Sequence, residues 1–145
     1  MARVLVAGLG SPHGDDQVGW VVAGQLGGIH AEVQALALRE PVTLLDHLGR
    51  CERLIVVDAC RGGGPPGLSR RLHWPLEGRP APLRSSHGFD VLSLLKLAES
   101  LGRLPPVVVI FAVEADSCQP GEGLSPAVCK ALPRLVAAIR REAFG

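Results

Sequence analysis

The sequence predicts an α/β fold: a mostly parallel sheet of about five strands with helices on both faces. Apolar runs of strand length alternate along the chain with segments of helical periodicity, as in βαβ units. The runs 54–57 and 107–113 are apolar throughout, as expected of parallel strands buried on both faces. The chain of 145 residues has the length of one domain and shows no internal repeat, so we predict a single domain over residues 1–145.

Glycine, proline and capping residues mark the ends of these elements. The predicted strands are residues 4–7, 29–38, 53–58, 68–74 and 107–113. The predicted helices are residues 15–26, 41–48, 86–101 and 125–143. Strand 68–74 is expected at a sheet edge, because Arg70 and Arg71 are hard to bury. Pro133 is expected to kink the last helix or to split off its first turn.

The stretch between the first strand and the first helix carries two adjacent carboxylates, Asp15 and Asp16. Helix capping explains one of them, since an acidic side chain in a first turn accepts free N–H groups. The second carboxylate repels the first, and a bound cation would explain it. A dinucleotide loop is the competing interpretation, but His13 replaces its third glycine and the carboxylates would face a phosphate.

Three side chains that bind metals are predicted at the carboxyl edge of the sheet, where parallel-sheet proteins place their sites. Asp16 follows the first strand, Asp58 ends the central strand, and His87 begins a later helix. Two carboxylates and one imidazole suit a divalent transition metal better than calcium or magnesium. Taken singly, each residue is explained as a cap, a loop acceptor or an exposed histidine. His13 is a possible fourth ligand, and Glu114 is either a pocket residue or a turn cap.

Composition excludes several partners and compartments. The formal net charge of +1 at pH 7 gives no general attraction to nucleic acid or to acidic membranes. No signal peptide and no bilayer-spanning run is recognised, so a cytoplasmic location is predicted. A local arginine cluster is interpreted as a solvated face or a protein-docking patch, since few aromatic residues interleave. Its members are Arg70, Arg71, Arg79 and Arg84.

The chain carries no signature of a covalent nucleophile. The serine elbow G-x-S-x-G and the zinc-protease motif H-E-x-x-H are both missing. The four cysteines form neither a C-x-x-C pair nor a zinc-ligand spacing, so they are predicted to be free thiols, and Cys60 is not favoured as a nucleophile. Any hydrolysis is therefore expected to use a carboxylate or a metal-activated water.

Four blocks of the sequence, in matching order, resemble the [NiFe]-hydrogenase maturation proteases. These are endopeptidases that trim the C-terminal extension from the hydrogenase large subunit. The blocks are GLGSPHGDDQVGW, LIVVDACRGGGPPG, SSHGFDVLSLLKLAESLGRLPP and VVVIFAVEADSCQPGEGLSP. The resemblance implies a three-layer α/β/α sandwich around a twisted, largely parallel sheet. It also implies that Asp16, Asp58 and His87 form both the metal site and the catalytic site.

The resemblance further implies that nickel is supplied by the precursor, with other divalent metals able to substitute. The two carboxylates and the imidazole would bind this nickel and so recognise a finished hydrogenase site. Water would then attack the nearby peptide bond, aided by an acidic residue or by the metal. The partner would be the large-subunit precursor, with no nucleic acid and no membrane involved.

The sequence departs from the family pattern at Ser11, where Asn is frequent, and at Gln17, where Gly is frequent. The segment 68–84 matches no family motif and is a candidate for partner specificity. Two other functions stay open at this point. One is a non-catalytic checkpoint or chaperone for the precursor, and the other is a small metallohydrolase with its own metal and another substrate.

Overall fold

Five strands form one sheet in the computed structural model, which describes residues 3–28, 30–76 and 91–144. In chain order they are β1 (Val4–Leu9), β2 (Val33–Leu38), β3 (Arg53–Cys60), β4 (Ser69–His73) and β5 (Val107–Glu114). Their order across the sheet is β2-β1-β3-β5-β4. Every pair is parallel except β4 with β5, which is antiparallel. The predicted mostly parallel sheet is confirmed, and so is the edge position of β4.

Helices cover both faces of this sheet, which gives the predicted three layers. They are α1 (Val18–Leu26), α2 (Val91–Ser100) and α3 (Pro126–Phe144), with 3₁₀ helices at Gly14–Gln17 and Pro41–His47. Successive side chains of a strand point to opposite faces. In β3, Ile55 and Val57 therefore pack with α1 and α3, whereas Leu54 and Val56 pack with α2 and the second 3₁₀ helix.

Several predicted boundaries were wrong by a few residues, and β1 also continues past Ala7 to Leu9. The helix expected from Asp15 begins as the 3₁₀ helix Gly14–Gln17 and becomes α-helical only at Val18, because the Asp15 N–H donates to the carbonyl of Ser117 in a distant loop. Strand β2 begins at Val33, whose N–H closes a turn onto the carbonyl of His30. Strand β3 continues past Asp58 to Cys60, because its ladder with β5 extends that far.

Helix α3 is continuous through Pro133, so the predicted splitting of its first turn was wrong. A proline lacks the N–H that would bond the carbonyl four residues earlier, here that of Cys129. Both residues are exposed, so solvent can hydrate that carbonyl. The predicted start of the helix is confirmed, since the hydroxyl of Ser125 accepts the Val128 N–H at 3.4 Å.

The first corner depends on two glycines that let α1 lie directly on the sheet. A Cβ on Gly8 would overlap the carbonyl oxygen of Gly19, and a Cβ on Gly19 would lie 2.7 Å from the carbonyl oxygen of Val57. Backbone therefore meets backbone between β1, β3 and α1. This close contact fixes the turn that carries Asp15 and Asp16 relative to the strand that carries Asp58.

In the three described ranges, the helices are too short or too polar to cross a bilayer.

Candidate functional site

Asp58 is a buried carboxylate near the carboxyl end of the central strand β3. It lies opposite Ala112 of β5, and only 5% of its surface is exposed. By the alternation of the strand, it continues the row of Leu54 and Val56 and so faces the α2 layer. A carboxylate in this row interrupts an otherwise apolar face, which marks the position as something other than core packing.

Helix α2 has its first described residue, Val91, toward the same edge of the sheet. Its other end lies at the amino edge, where the indole N–H of Trp74 donates to Glu99 at 3.0 Å and the Trp74 backbone N–H donates to Val108. The predicted ligand His87 lies outside the described residues, as does the proposed cap Ser86.

Asp16 lies in the 3₁₀ helix that follows β1, and it is 3% exposed. Its Oδ2 accepts a hydrogen bond from the hydroxyl of Ser11 at 2.5 Å, and its backbone carbonyl accepts the Ser11 N–H at 3.2 Å. A Cβ on Gly10 would overlap the same carbonyl. The turn is therefore closed around Asp16, and Ser11 holds one of its carboxylate oxygens in a defined direction.

Asp15 is fully buried and has a different role from the predicted cap. Its Oδ2 accepts the N–H groups of Asp116 at 2.8 Å and Ser117 at 3.2 Å, and its Oδ1 accepts that of Ser125 at 2.6 Å. The cap position of its own 3₁₀ helix is His13, which makes no side-chain capping bond. Asp15 thus joins the first corner to the loop between β5 and α3. Its role is structural, as expected for one Asp of the pair, but it binds a distant loop and does not cap its own helix.

A further buried carboxylate at this edge, Glu114, is 1% exposed and forms an ion pair with Arg70 of the neighbouring strand. The guanidinium Nη1 donates to Oε1 at 3.1 Å. Glu114 is therefore a paired carboxylate at the end of β5, neither an open pocket residue nor a turn cap.

Cys60 lies opposite Glu114 in the ladder and is buried. Burial, together with the charge and hydrogen bond of Glu114, raises the pKa of its thiol to about 12. The thiol is protonated at neutral pH and is a poor nucleophile there.

The two described arginines of the predicted cluster, Arg70 and Arg71, form ion pairs with different carboxylates. Arg70 is neutralised by Glu114, and Arg71 of the next position pairs with Glu142 of α3 at 2.9 Å. The pKa of Glu142 is lowered by the hydrogen bond from Arg71. Arg79 and Arg84 lie outside the described residues. The two described members are therefore each paired with a carboxylate of this chain, and the interpretation of the four arginines as a solvated face or a docking patch stays a prediction.

A different cation, Arg61, stands at the carboxyl edge directly after β3. Its exposed guanidinium has a raised pKa because of a hydrogen bond with the Cys118 side chain, with further contributions from the charges of Asp16 and Asp15. The edge that carries the buried carboxylates thus also carries a cation facing solvent.

The departures from the family pattern have structural explanations. Ser11 supplies a side-chain hydrogen bond to Asp16, as described above. The Gln17 amide donates to the carbonyls of Gly14 at 3.1 Å and Glu122 at 2.8 Å. Gln17 therefore joins the corner to the loop before α3 and leaves the carboxylate of Asp16 to other partners.

Of the three predicted metal ligands, Asp16 and Asp58 are among the described residues and His87 is not. Asp16 follows β1 and Asp58 lies near the carboxyl end of β3, the neighbouring parallel strand, so both lie toward one edge of the sheet. Within residues 3–28, 30–76 and 91–144, no three His, Cys, Asp or Glu side chains form a metal-binding group. His13 does not form such a group with the two carboxylates among the described residues, and its part as a fourth ligand beside His87 stays a prediction.

Comparison with known proteins gives one family and one fold. A sequence profile of HycI, described as a hydrogenase maturation protease, matches residues 39–142, a range that includes Asp58 and position 87 but begins after Asp16. A search of curated protein sequences gives no match.

Solved structures of hydrogenase maturation proteases resemble the chain over nearly its whole length. HybD from Thermococcus kodakarensis is 23% identical, with a TM-score of 0.79 over 97% of this chain and 99% of that one. HybD from E. coli is 23% identical, with a TM-score of 0.73 over 97% and 93% of the chains. The hydrogenase 2 maturation peptidase of a Thaumarchaeota archaeon is 26% identical, with a TM-score of 0.67 over 97% of each chain.

Proposed function

Since the chain belongs to the hydrogenase maturation protease family, we propose that it is the endopeptidase that removes the C-terminal extension of a [NiFe]-hydrogenase large-subunit precursor after nickel insertion. The observation that carries the proposal is the pair of buried carboxylates, Asp16 after β1 and Asp58 near the carboxyl end of the neighbouring strand β3. Burying two acidic groups at one sheet edge is costly unless each has a function or a partner. The cytoplasmic location predicted from the sequence is part of this proposal.

Nickel enters this account as part of the substrate. Asp16 and Asp58 offer anionic oxygen donors, and His87 offers a nitrogen donor of the kind that nickel accepts. The hydroxyl of Ser11 donates to Oδ2 of Asp16 and so orients this carboxylate at the sheet edge. A precursor without nickel lacks the group that these side chains would bind, so it would dock poorly.

The reaction is a hydrolysis. A water oxygen attacks the carbonyl carbon of the scissile peptide bond, the carbon–nitrogen bond breaks, and a proton from the water ends on the leaving amine. Asp16 or Asp58 is proposed to accept the proton of the attacking water, unless nickel itself activates that water. No covalent intermediate on the protease is needed, and Cys60 is unsuited to form one because its thiol pKa is about 12.

We expect cleavage to depend on nickel. Purified protein is mixed with nickel-loaded large-subunit precursor from the same source, and the intact mass of the precursor is followed over time. The expected result is loss of the C-terminal extension from the nickel-loaded precursor and no loss from the nickel-free one, because only the first presents the metal to the site.

Two other results would contradict the proposal in different ways. Tight binding of the nickel-loaded precursor without any mass loss would indicate a checkpoint or chaperone. Stoichiometric metal that stays with the isolated protein through dialysis, together with no effect on the precursor, would indicate a metallohydrolase with another substrate.

A further inference from the structure

The loop 61–67 begins directly after β3, the strand that carries Asp58. It joins β3 to β4 and contains four glycines and two prolines, and most of it is exposed. Any polypeptide that brings a bond to Asp58 from outside the sheet edge has this loop as an immediate neighbour. The loop is therefore in a position to influence how a substrate reaches the site.

The loop is fastened to the sheet at its far end. The Gly67 N–H donates to the carbonyl of Glu114 at 2.8 Å, and the Glu114 N–H donates to the carbonyl of Leu68 at 2.8 Å. The side chain of the same glutamate holds Arg70 at 3.1 Å. Glu114 thus binds both the backbone that ends the loop and the cation beneath it.

The middle of the loop rests on this ion pair. A Cβ on Gly63 would overlap both terminal nitrogens of Arg70 and would lie 2.5 Å from Oε1 of Glu114. The backbone of Gly63 therefore lies against the paired guanidinium, closer than any other residue type would permit. Enlarging Gly63 must displace either the loop or the ion pair on which it rests.

We infer that Glu114 and Arg70 are positioning residues, which hold the loop 61–67 beside Asp58 so that it contacts the precursor segment approaching the site. This inference rests on the proposed function. Arg70 pairs across the sheet with Ala112, as Asp58 does, so the ion pair lies on the face that carries the candidate site. The loop acts on binding, whereas Asp58 acts on the reacting centre.

A neighbouring ion pair gives the contrast. Arg71, next to Arg70 in β4, points to the opposite face and pairs with Glu142 of α3 at 2.9 Å. The Arg71–Glu142 pair joins the same strand to the body of the protein without touching the loop. Removing it should lower stability and leave substrate binding unchanged.

The test is the steady-state kinetics of precursor processing by Gly63→Ala. We expect KM to rise about tenfold or more with kcat within about threefold of wild type, because separating the loop from the ion pair that supports it weakens binding and not the chemical step. Gly49→Ala is the matched control, since its Cβ meets open space at the other edge of the sheet. An unchanged KM in Gly63→Ala overturns the inference, while absence of cleavage by the wild-type protein overturns the proposed function together with it.

A pair of further variants separates positioning from stability. Glu114→Gln leaves Arg70 without its buried partner, so thermal stability is expected to fall and KM to rise. Adding Arg70→Met removes the unpaired charge, and we expect the double variant to regain thermal stability while its KM stays high. If the double variant regained both thermal stability and the wild-type KM, the ion pair would have a merely structural role and the inference would be overturned. This result decides the question even if Gly63→Ala does not fold.

Discussion

Replacing Asp58 with asparagine is expected to lower kcat/KM for the nickel-loaded precursor by at least about 100-fold, while the protein stays folded. The amide has the shape of the carboxylate and keeps its place in the β3 row beside Val56. It lacks the negative charge, so it binds a metal cation weakly and does not accept a proton from water. The rate is followed by the intact mass of the precursor, and folding by circular dichroism and thermal melting.

The matched control for this variant is Asp46→Asn. Asp46 is an exposed aspartate in the second 3₁₀ helix, away from the strand ends that carry the candidate site. We expect its processing rate to equal that of wild type. A folded Asp58→Asn protein that processes the precursor at the wild-type rate would remove Asp58 from the proposed mechanism.

Asp15→Asn is expected to lower the free energy of unfolding by about 3–5 kcal/mol, the largest stability effect that we predict. Both oxygens of Asp15 accept backbone N–H groups, from Asp116 and Ser117 on one side and Ser125 on the other. Either orientation of an asparagine amide would point an NH₂ group at one of these donors. Two charge-assisted bonds or more are weakened, and a donor is left buried against a donor.

Urea denaturation measures this effect, with Asp116→Asn as the control. The side chain of Asp116 is exposed, and its backbone N–H still reaches Asp15 in the variant. We expect the control to change the free energy of unfolding by no more than about 0.5 kcal/mol. Equal stability of the two variants would mean that the carboxylate of Asp15 does not hold the loop before α3.

The fold could be predicted because short sequence patterns identify most of its strands and helices. The apolar runs of β3 and β5 and the helical stripe of α2 each lie within a few consecutive residues. Their alternation implies a parallel sheet with both faces covered. The boundaries were less accurate, because the start of α1 and the end of β3 depend on bonds to distant segments.

The role of Asp15 could not be predicted, because its partners lie 101, 102 and 110 residues further along the chain. The sequence shows an acidic pair near a helix start, for which capping is the ordinary local explanation. Only the folded chain brings the loop before α3 to this corner.

The sequence gives an indirect indication of the ion pair between Arg70 and Glu114. An acidic residue at the end of an apolar strand and an arginine in an expected edge strand each need a partner when they are buried. The sequence does not state that β4 lies next to β5, and that neighbourhood makes them partners. The contact of Gly63 with the pair depends on the same neighbourhood.

The candidate site was predicted from strand ends, and both carboxylates are buried toward the carboxyl edge of the sheet, although β3 continues past Asp58. Asp58 continues the buried row of β3, and Asp16 follows β1, the neighbour of β3. Their roles stay a prediction, and so does that of His87, which lies outside the described residues.

The central claim is that Asp16, Asp58 and His87 recognise the nickel of the precursor. It is tested most directly by the affinities of wild-type protein and His87→Ala for nickel-loaded and nickel-free precursor, measured before product appears. These four values form a thermodynamic cycle in which removing nickel and removing the imidazole are the two changes. We predict that wild type prefers the nickel-loaded precursor and that His87→Ala loses most of this preference, while both bind the nickel-free precursor equally. An undiminished preference in His87→Ala would contradict the account.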